Sequence, residues 1–556
     1  MIDAHLEALA TGSRLWSTLT LDQRARLLER VHASAGAVAE EWAEVAAASK
    51  GLDAQHPLRG EEWLTGPYAT LIALDAARDT LRALAEGRSP LDGVRLDEAP
   101  GGRLRAHVLP ATALDRLVLS GFTGEVWLEP GVTREEAIAA AGLGQRDPGA
   151  SGGIGLVLGA GNITSIPVLD VLYELLSANR VTLLKVNPTQ DALVPVLERA
   201  LAPLIEPGFL RIVTGDGAVG ARLTQHPGFS HVHITGSART FDAIVWGTDQ
   251  PRPAEPRLGV PITAELGGVA PIIVVPGRWS EADLRFQAEH VATMRLQNSG
   301  HNCIAGQVVI LSADWPQRGA FLAALRTAYA QAPARPVWYP HGDASLTALR
   351  EAHPDAAWLG DGTRALVALD PDAAADAVER TEFFAPVLGT VALPGDGQAF
   401  LDAAVAYANE RLTGSLGANV LIDPAAEKAL GGGFERAIAD LRYGGIAINA
   451  WTGVSFTVPT LSWGAFPGGT REDVGSGIGI VHNARLLDRV ERSVLRGPFR
   501  PFPRSVGVGE RFSALPKPPW FVTARTGAVV SEGLARFQVD RSIRTLTATL
   551  SRAFGA

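Results

Sequence analysis

Apolar positions recur with three different periods along the chain, and each period predicts a different kind of element. In the first hundred residues they fall at helical spacing. Thr20-Leu-Asp-Gln23 has the form of a capping box and opens the run LDQRARLLERVHASAGAVAEEWAEVAAAS, which Gly51 ends. A second helical run, EEWLTGPYATLIALDAARDTLRALAEG, closes in the same way on Gly87. Near residue 100 the period shortens to that of strands, in GRLRAHVLP and LVLSGFTGEVWLEPG, both split by turn residues. From Ser151 continuous apolar runs alternate with helical ones: GGIGLVLGAG, VTLLKV, LRIVTG and HVHITGS read as strands, IPVLDVLYELLSAN and DALVPVLERALAPLI as helices. Strands this uniformly apolar are covered on both faces, as in a parallel α/β sheet. A second series starts near Pro271 and runs through GQVVILSA, FLAALRTAYAQ, GTVALPG and GANVLID. After about residue 485 the chain turns Arg- and Pro-rich before a final predicted helix, VDRSIRTLTATLSRAF. The predicted fold class is α/β, with two doubly wound parallel-sheet domains in series and a β-rich piece near residue 100.

Composition then removes whole classes of function. With 46% hydrophobic and 20% charged residues, the 556-residue chain is too apolar for a disordered protein. Its 50 basic and 59 acidic side chains leave a net charge of -9 without a basic block, so nucleic acid is not an expected partner. No apolar stretch approaches the roughly 20 residues of a membrane helix, and the N-terminus lacks a secretory layout. The single cysteine, Cys303, excludes an internal disulfide and a cysteine-rich metal site, and a cytoplasmic protein is expected. Lysine occurs only at positions 50, 185, 428 and 517, so a lysine kept in this arginine-rich chain is informative.

The thiol is the first candidate for chemistry. Cys303 sits in LQNSGHNCIAGQVVIL, where a polar, glycine-containing turn runs into a strand, and Asn298, Ser299, His301 and Asn302 surround it. A buried structural thiol would be expected among apolar neighbours. A nucleophilic thiol needs a base and an oxyanion site, and Glu265 in TAELGGVAPIIVV is a candidate base whose apolar surroundings raise its pKa. Gly215-Asp-Gly217-Ala-Val-Gly220 fits G-x-G-x-x-G after a strand, yet no acid follows about 20 residues on. It reads equally as a dinucleotide loop or a tight strand-to-helix turn. No P-loop, H-E-x-x-H or nucleophile elbow is present.

Taken in order, GAGN ending at Asn162, LLKVNP around Lys185, ITGS ending at Ser237, ELGG from Glu265, NSGHNC ending at Cys303 and EFFAPV from Glu382 resemble the aldehyde dehydrogenase superfamily. YAN…GSLGANV near Asn409 and INA…AFPGG near Asn449 extend the resemblance over roughly residues 150 to 480. The resemblance implies that Cys303 is the thiolate attacking an aldehyde carbonyl and that the Asn162 amide, with the Cys303 N–H, holds the oxyanion. It implies that Glu265 activates the water that hydrolyses the thioester. Glu382 and Phe384 would lie by the nicotinamide half of NAD or NADP. Lys185 would reach the adenosine ribose, with Gly236 and Ser237 at the pyrophosphate and Leu266 and Gly215 also cofactor-binding; Ser237 serves equally as an ordinary helix N-cap. No metal is implied.

Departures from the family pattern mark a divergent branch. Pro188 stands where NAD-preferring members often carry an acid, which makes NADP an equal expectation; Val269, Gln307, Gly161 and Ala385 also differ from the common residues. The activity expected is oxidation of an aldehyde to a carboxylic acid; a CoA-acylating dehydrogenase and a non-catalytic protein of the same fold are the alternatives. Trp451, Phe456, Trp463 and Phe466 fall in the region bordering the family's substrate entrance and point to an apolar or aromatic aldehyde, or equally to aromatic packing at a domain interface. The expected organisation is an NAD(P)-binding domain of 1–100 and 150–264 and a catalytic domain of 265–480. Residues 101–149 and 481–556 form an oligomerisation β segment and C-terminal extension, its strands covering an open sheet edge of another subunit in a homodimer or tetramer.

Overall fold

The structure, a computed structural model, describes residues 2–248, 252–507 and 509–555. The capping box at Thr20 forms as the sequence predicts, with Gln23 N–H bonded to the Thr20 hydroxyl at 3.2 Å, and it starts the helix Leu21–Ala37. This helix lies against Ala69–Ala85, and the pair shares an apolar core with a six-stranded sheet on which helices Ile2–Trp16 and Ile166–Ala178 pack directly. The strand order of that sheet is Gly477–Ile478, Ile262–Leu266, His231–Gly236, Ile154–Leu158, Val181–Lys185, Leu210–Val213. All pairings are parallel except that of the short first strand. Val181, Leu183 and Leu184 are fully buried, which is why this strand reads as an unbroken apolar run.

The second sheet has eleven strands. Its parallel centre, Gly445–Ile448, Gly417–Leu421, Ala270–Val274, Gly306–Ser312 and Val387–Leu393, is the second α/β series of the sequence. Strand Ile262–Leu266 crosses the expected boundary at 264/265, so Glu265 stands near the end of a strand of the smaller sheet and Gly267-Gly268 lead across to the larger one.

Three expectations change. LVLS, read as strand, belongs to the helix Ala113–Val118 and the turn after it, because Thr112 and Asp115 form a capping box that a four-residue alternation does not outweigh. The C-terminal helix is two helices, Gly527–Asp540 and Ile543–Ala553, broken at Arg541, whose φ of 51° is left-handed. The strands of the expected oligomerisation segment join a sheet of their own chain. Val490–Arg496 pairs in parallel with Gly445–Ile448, and Thr123–Leu128, Arg103–Leu109 and Arg95–Ala99 continue antiparallel beyond it. The sheet edge at Gly445–Ile448 is therefore filled from within the chain.

Candidate active site

The link between the two sheets and the turn before Gly306–Ser312 bring Glu265 and Cys303 together. The half-buried Cys303 thiol donates to Glu265 Oε1 at 3.3 Å. Burial, followed by the nearby Glu265 and Glu382 carboxylates, pushes the thiol pKa well up, so its resting form is the protonated donor. Glu265 is 1% exposed, and burial raises its pKa as well. Behind it Asp170, held down to about 2, accepts from His482 at 3.0 Å and from the Thr235 hydroxyl at 3.0 Å, with His233 Nε2 at 3.5 Å. This buried His–Asp–His group has no counterpart among the sequence-predicted residues.

Asn162 lies on the other side of the thiol, and both line one cavity. One of its amide hydrogens is taken by the His301 carbonyl at 2.9 Å, which fixes the side-chain rotation and leaves the second hydrogen free. The backbone is held as firmly, because the Asn162 carbonyl accepts from Lys50 Nζ at 2.8 Å and from Asn298 Nδ2 at 3.2 Å. Lys50 also pairs with Glu62 at 2.8 Å, Glu62 with Arg335 at 3.1 Å, and Arg335 with Glu61. Glu61 accepts the Asn298 N–H at 3.0 Å, and Arg335 donates to Asn298 Oδ1 at 3.1 Å. Asn298 and Ser299 are both left-handed (φ 53° and 54°), a conformation that non-glycine residues hold only when their surroundings impose it. The four buried charges supply that constraint and so set the turn carrying Cys303.

Glu382 faces the thiol from the opposite loop. A Cβ on Gly267 would overlap its carboxylate, so the glycine after Glu265-Leu266 lets the Glu382 carboxylate approach the backbone closely. Burial pushes the Glu382 carboxyl up to about 8, and its Oε1 has no hydrogen-bond partner. Gln307, which departs from the family residue, holds this loop: it donates to the Val378 and Thr381 carbonyls at 2.8 Å and accepts from Phe383 N–H at 2.9 Å. Arg295 donates to the Ala385 carbonyl at 3.0 Å. Phe384 stacks edge-on against Tyr339 at 4.8 Å, and its carbonyl accepts from His301 Nδ1 at 2.7 Å. His301 is neutral, its pKa lowered to about 3 by burial.

Lys185 ends its strand, 7% exposed, with Asp191 and Asp216 in its electrostatic field. Asp216 caps the helix Gly217–Thr224 through Ala218 and Val219 N–H, and a Cβ on Gly215 would overlap Val219, so the glycine motif forms the tight strand-to-helix turn. Gly236 and Ser237 are exposed at the start of Ala238–Val245, where Ser237 Oγ accepts Thr240 N–H at 3.2 Å. The Leu266 side chain is buried in the core of the smaller sheet, and its N–H is taken by the Ser476 carbonyl. Trp451, Phe456 and Trp463 line the Cys303 cavity, whereas Phe466 lies under the Arg492 guanidinium. The Asn409 amide donates to the Asp440 carbonyl and the Asn449 amide to the Ile422 carbonyl, each tying together segments far apart in sequence. Among the described residues no group of three or more His, Cys, Asp or Glu side chains could hold a metal ion, and no helix is long and apolar enough to cross a membrane.

Residues 166–339 match the sequence model of the aldehyde dehydrogenase family. The chain is 34% identical over 151 residues to a 3,6-anhydro-α-L-galactose dehydrogenase of Streptomyces coelicolor, covering 26% of this chain and 27% of that protein. It is 28% identical over 158 residues to a coniferyl aldehyde dehydrogenase of a Pseudomonas species, covering 28% and 30%. The chain thus matches less than a third of the length of these curated relatives. In fold it is similar to a putative aldehyde dehydrogenase from Burkholderia cenocepacia (TM-score 0.57, 22% identity, 88% of this chain and 91% of that one). It is also similar to an aldehyde dehydrogenase from Pseudomonas syringae solved with NAD+ and octanal (TM-score 0.60, 17% identity, 89% and 88%).

Proposed function

We propose that this chain, whose residues 166–339 match the aldehyde dehydrogenase family model, is an enzyme of that superfamily that oxidises an aldehyde to a carboxylic acid with NAD or NADP, through a thioester on Cys303. The observation that carries this reading is the Cys303 thiol bonded to the buried Glu265 carboxylate at 3.3 Å, beside the spare Asn162 hydrogen, at one end of an apolar cavity.

Glu265 takes the thiol proton as the sulfur forms a bond to the carbonyl carbon and the carbonyl electron pair moves to oxygen. The free Asn162 N–H and the Cys303 backbone N–H receive the oxyanion; one such donor is worth about 3–4 kcal/mol in comparable sites. Bound NAD(P) supplies the acceptor for the hydride leaving that carbon. Glu265, deprotonated again, then takes a proton from the water that attacks the thioester; the C–S bond breaks, and the thiolate recovers its proton.

The residues fit a nicotinamide dinucleotide. The partnerless Glu382 Oε1 is a buried acceptor ready for a ribose hydroxyl, Lys185 offers a cation at a strand end, and Gly236-Ser237 open a helix N-terminus to a pyrophosphate. Pro188 removes an acid from the adenosine end, but Asp191 and Asp216 supply negative charge to Lys185 there, which supports NAD over a 2′-phosphorylated cofactor. These residue roles, a cytoplasmic location and a homodimer or tetramer complete the reading; light scattering tests the last. Incubation with an aldehyde panel and NAD or NADP, with and without CoA, tests the whole. Reduced cofactor formed without CoA is expected, and none from any aldehyde, with Cys303 reduced, contradicts it.

A further inference from the structure

We propose that the C-terminal segment 515–553 forms the specificity wall of the Cys303 cavity, and that the cavity takes a neutral, unbranched aliphatic aldehyde with its chain running toward the two C-terminal helices. The aldehyde chemistry rests on the function proposed above; the wall and its preference for an alkyl chain do not.

The cavity is narrow, with about 90 Å³ open to the centres of water-sized molecules. It reaches from Cys303, Glu265 and Asn162 to Leu515, Trp520, Val530, Leu534, Leu550 and Ala553, all from the C-terminal segment. Val530, Leu534 and Ala553 form one apolar cluster, closed by Leu64, Tyr68, Val118 and Leu515. Besides Cys303 and Glu265, Tyr68 is the one ionisable residue on the lining. An aldehyde carrying a phosphate, carboxylate or ammonium at its far end would lose its hydration against these walls with nothing to pair it. A narrow bore with apolar sides suits a flexible chain rather than a ring.

The wall is fixed in place. Gly533 meets Thr549 so closely that a Cβ there would overlap it, locking the two helices together. Helix Gly527–Asp540 is tied to the N-terminal helices by Arg59–Glu532 at 3.3 Å, by Arg541–Asp75 and by the Arg536 guanidinium over the Trp63 ring. Lys517 pairs with Glu289 at 2.7 Å. These ties hold the extension against the cavity, which gives the extension a task that its sequence does not reveal.

The test uses the full-length protein and a ladder of straight-chain alcohols from butanol to dodecanol, bound at the tryptophans lining the cavity and read by intrinsic fluorescence. Affinity is expected to rise about fourfold per added methylene while the chain lies along the wall. Leu550→Trp, at a half-buried position on the last helix, should cut the ratio of dodecanol to butanol affinity at least tenfold, and Leu534→Trp should do the same. In turnover, the ratio of kcat/KM for dodecanal to that for propanal should fall in parallel. Affinity independent of length, or a ladder unchanged in every folded variant, overturns the proposal. Length-dependent alcohol binding without aldehyde oxidation would contradict the proposed function and leave the wall standing; oxidation of every aldehyde alike would contradict the wall alone.

Discussion

Replacing Lys50 by methionine should both weaken the fold and slow the chemistry. Lys50 Nζ lies 2.8 Å from Glu62 and 2.8 Å from the Asn162 carbonyl, and both charged side chains are at most 3% exposed. At an effective dielectric of about 20, a pair at this distance attracts by about 6 kcal/mol, partly offset by no longer burying the ammonium, which desolvation penalises most. The variant leaves Glu61 and Glu62 sharing Arg335, an uncompensated buried charge, so the expected loss is about 3–5 kcal/mol, measured by urea unfolding. The double variant Lys50→Met/Glu62→Leu should recover at least about 1 kcal/mol of it. With the Asn162 backbone released, kcat/KM should fall roughly tenfold to a hundredfold, while NAD(P) affinity changes little. A stability change within about 1 kcal/mol and an unchanged kcat would refute the view that this group sets the turn.

Three further outcomes follow from the same geometry. Glu265 must be ionised to take the thiol proton and its pKa is raised by burial, so kcat/KM should climb with pH through a limb above the ordinary carboxylate range; Glu265→Gln should remove that limb. Glu382 titrates at about 8 when folded against its ordinary 4.5, so the folded protein keeps a proton that the unfolded chain has released. Stability should therefore be full below about 4.5 and decline as pH rises toward 8, and Glu382→Gln should flatten this slope in thermal melts across that window. Asp216 caps its helix and also faces Lys185; Asp216→Ser keeps the cap and removes the charge. It should raise NADP efficiency relative to NAD several-fold, read by paired cofactor titrations.

Legibility followed how far each residue's chemistry dictates its neighbours. Cys303, Glu265 and Asn162 stand at strand ends inside unusual polar or glycine contexts, and the structure gathers them where the order of motifs indicated. Lys50, Glu61, Glu62 and Arg335 are not legible together because Glu61 and Glu62 look like a solvated helix start while Lys50 follows a helix and Arg335 lies in a distant loop, although Lys50 carries the same rarity signal as Lys185. Asp170 and His482 are 312 residues apart and meet only through the fold. The final helix was readable as a helix, but helical spacing does not distinguish a side packed on a neighbouring helix from one that lines a cavity. The short alternation LVLS lost to the local hydrogen bonds of Thr112 and Asp115. Strand Val490–Arg496 was not singled out in the Arg- and Pro-rich tail, and its partner depends on which edge lies within reach of the chain.

The central claim, covalent chemistry at Cys303 resolved by Glu265, is tested most directly by mass spectrometry of the Glu265→Gln protein after a single turnover with octanal and NAD or NADP. The account predicts an octanoyl mass increase on the peptide carrying Cys303, formed more slowly than in the wild type because the base for the thiol proton is missing, accompanied by one equivalent of reduced cofactor and lost on treatment with hydroxylamine. Reduced cofactor released at the wild-type rate from protein with an unmodified Cys303 would contradict it.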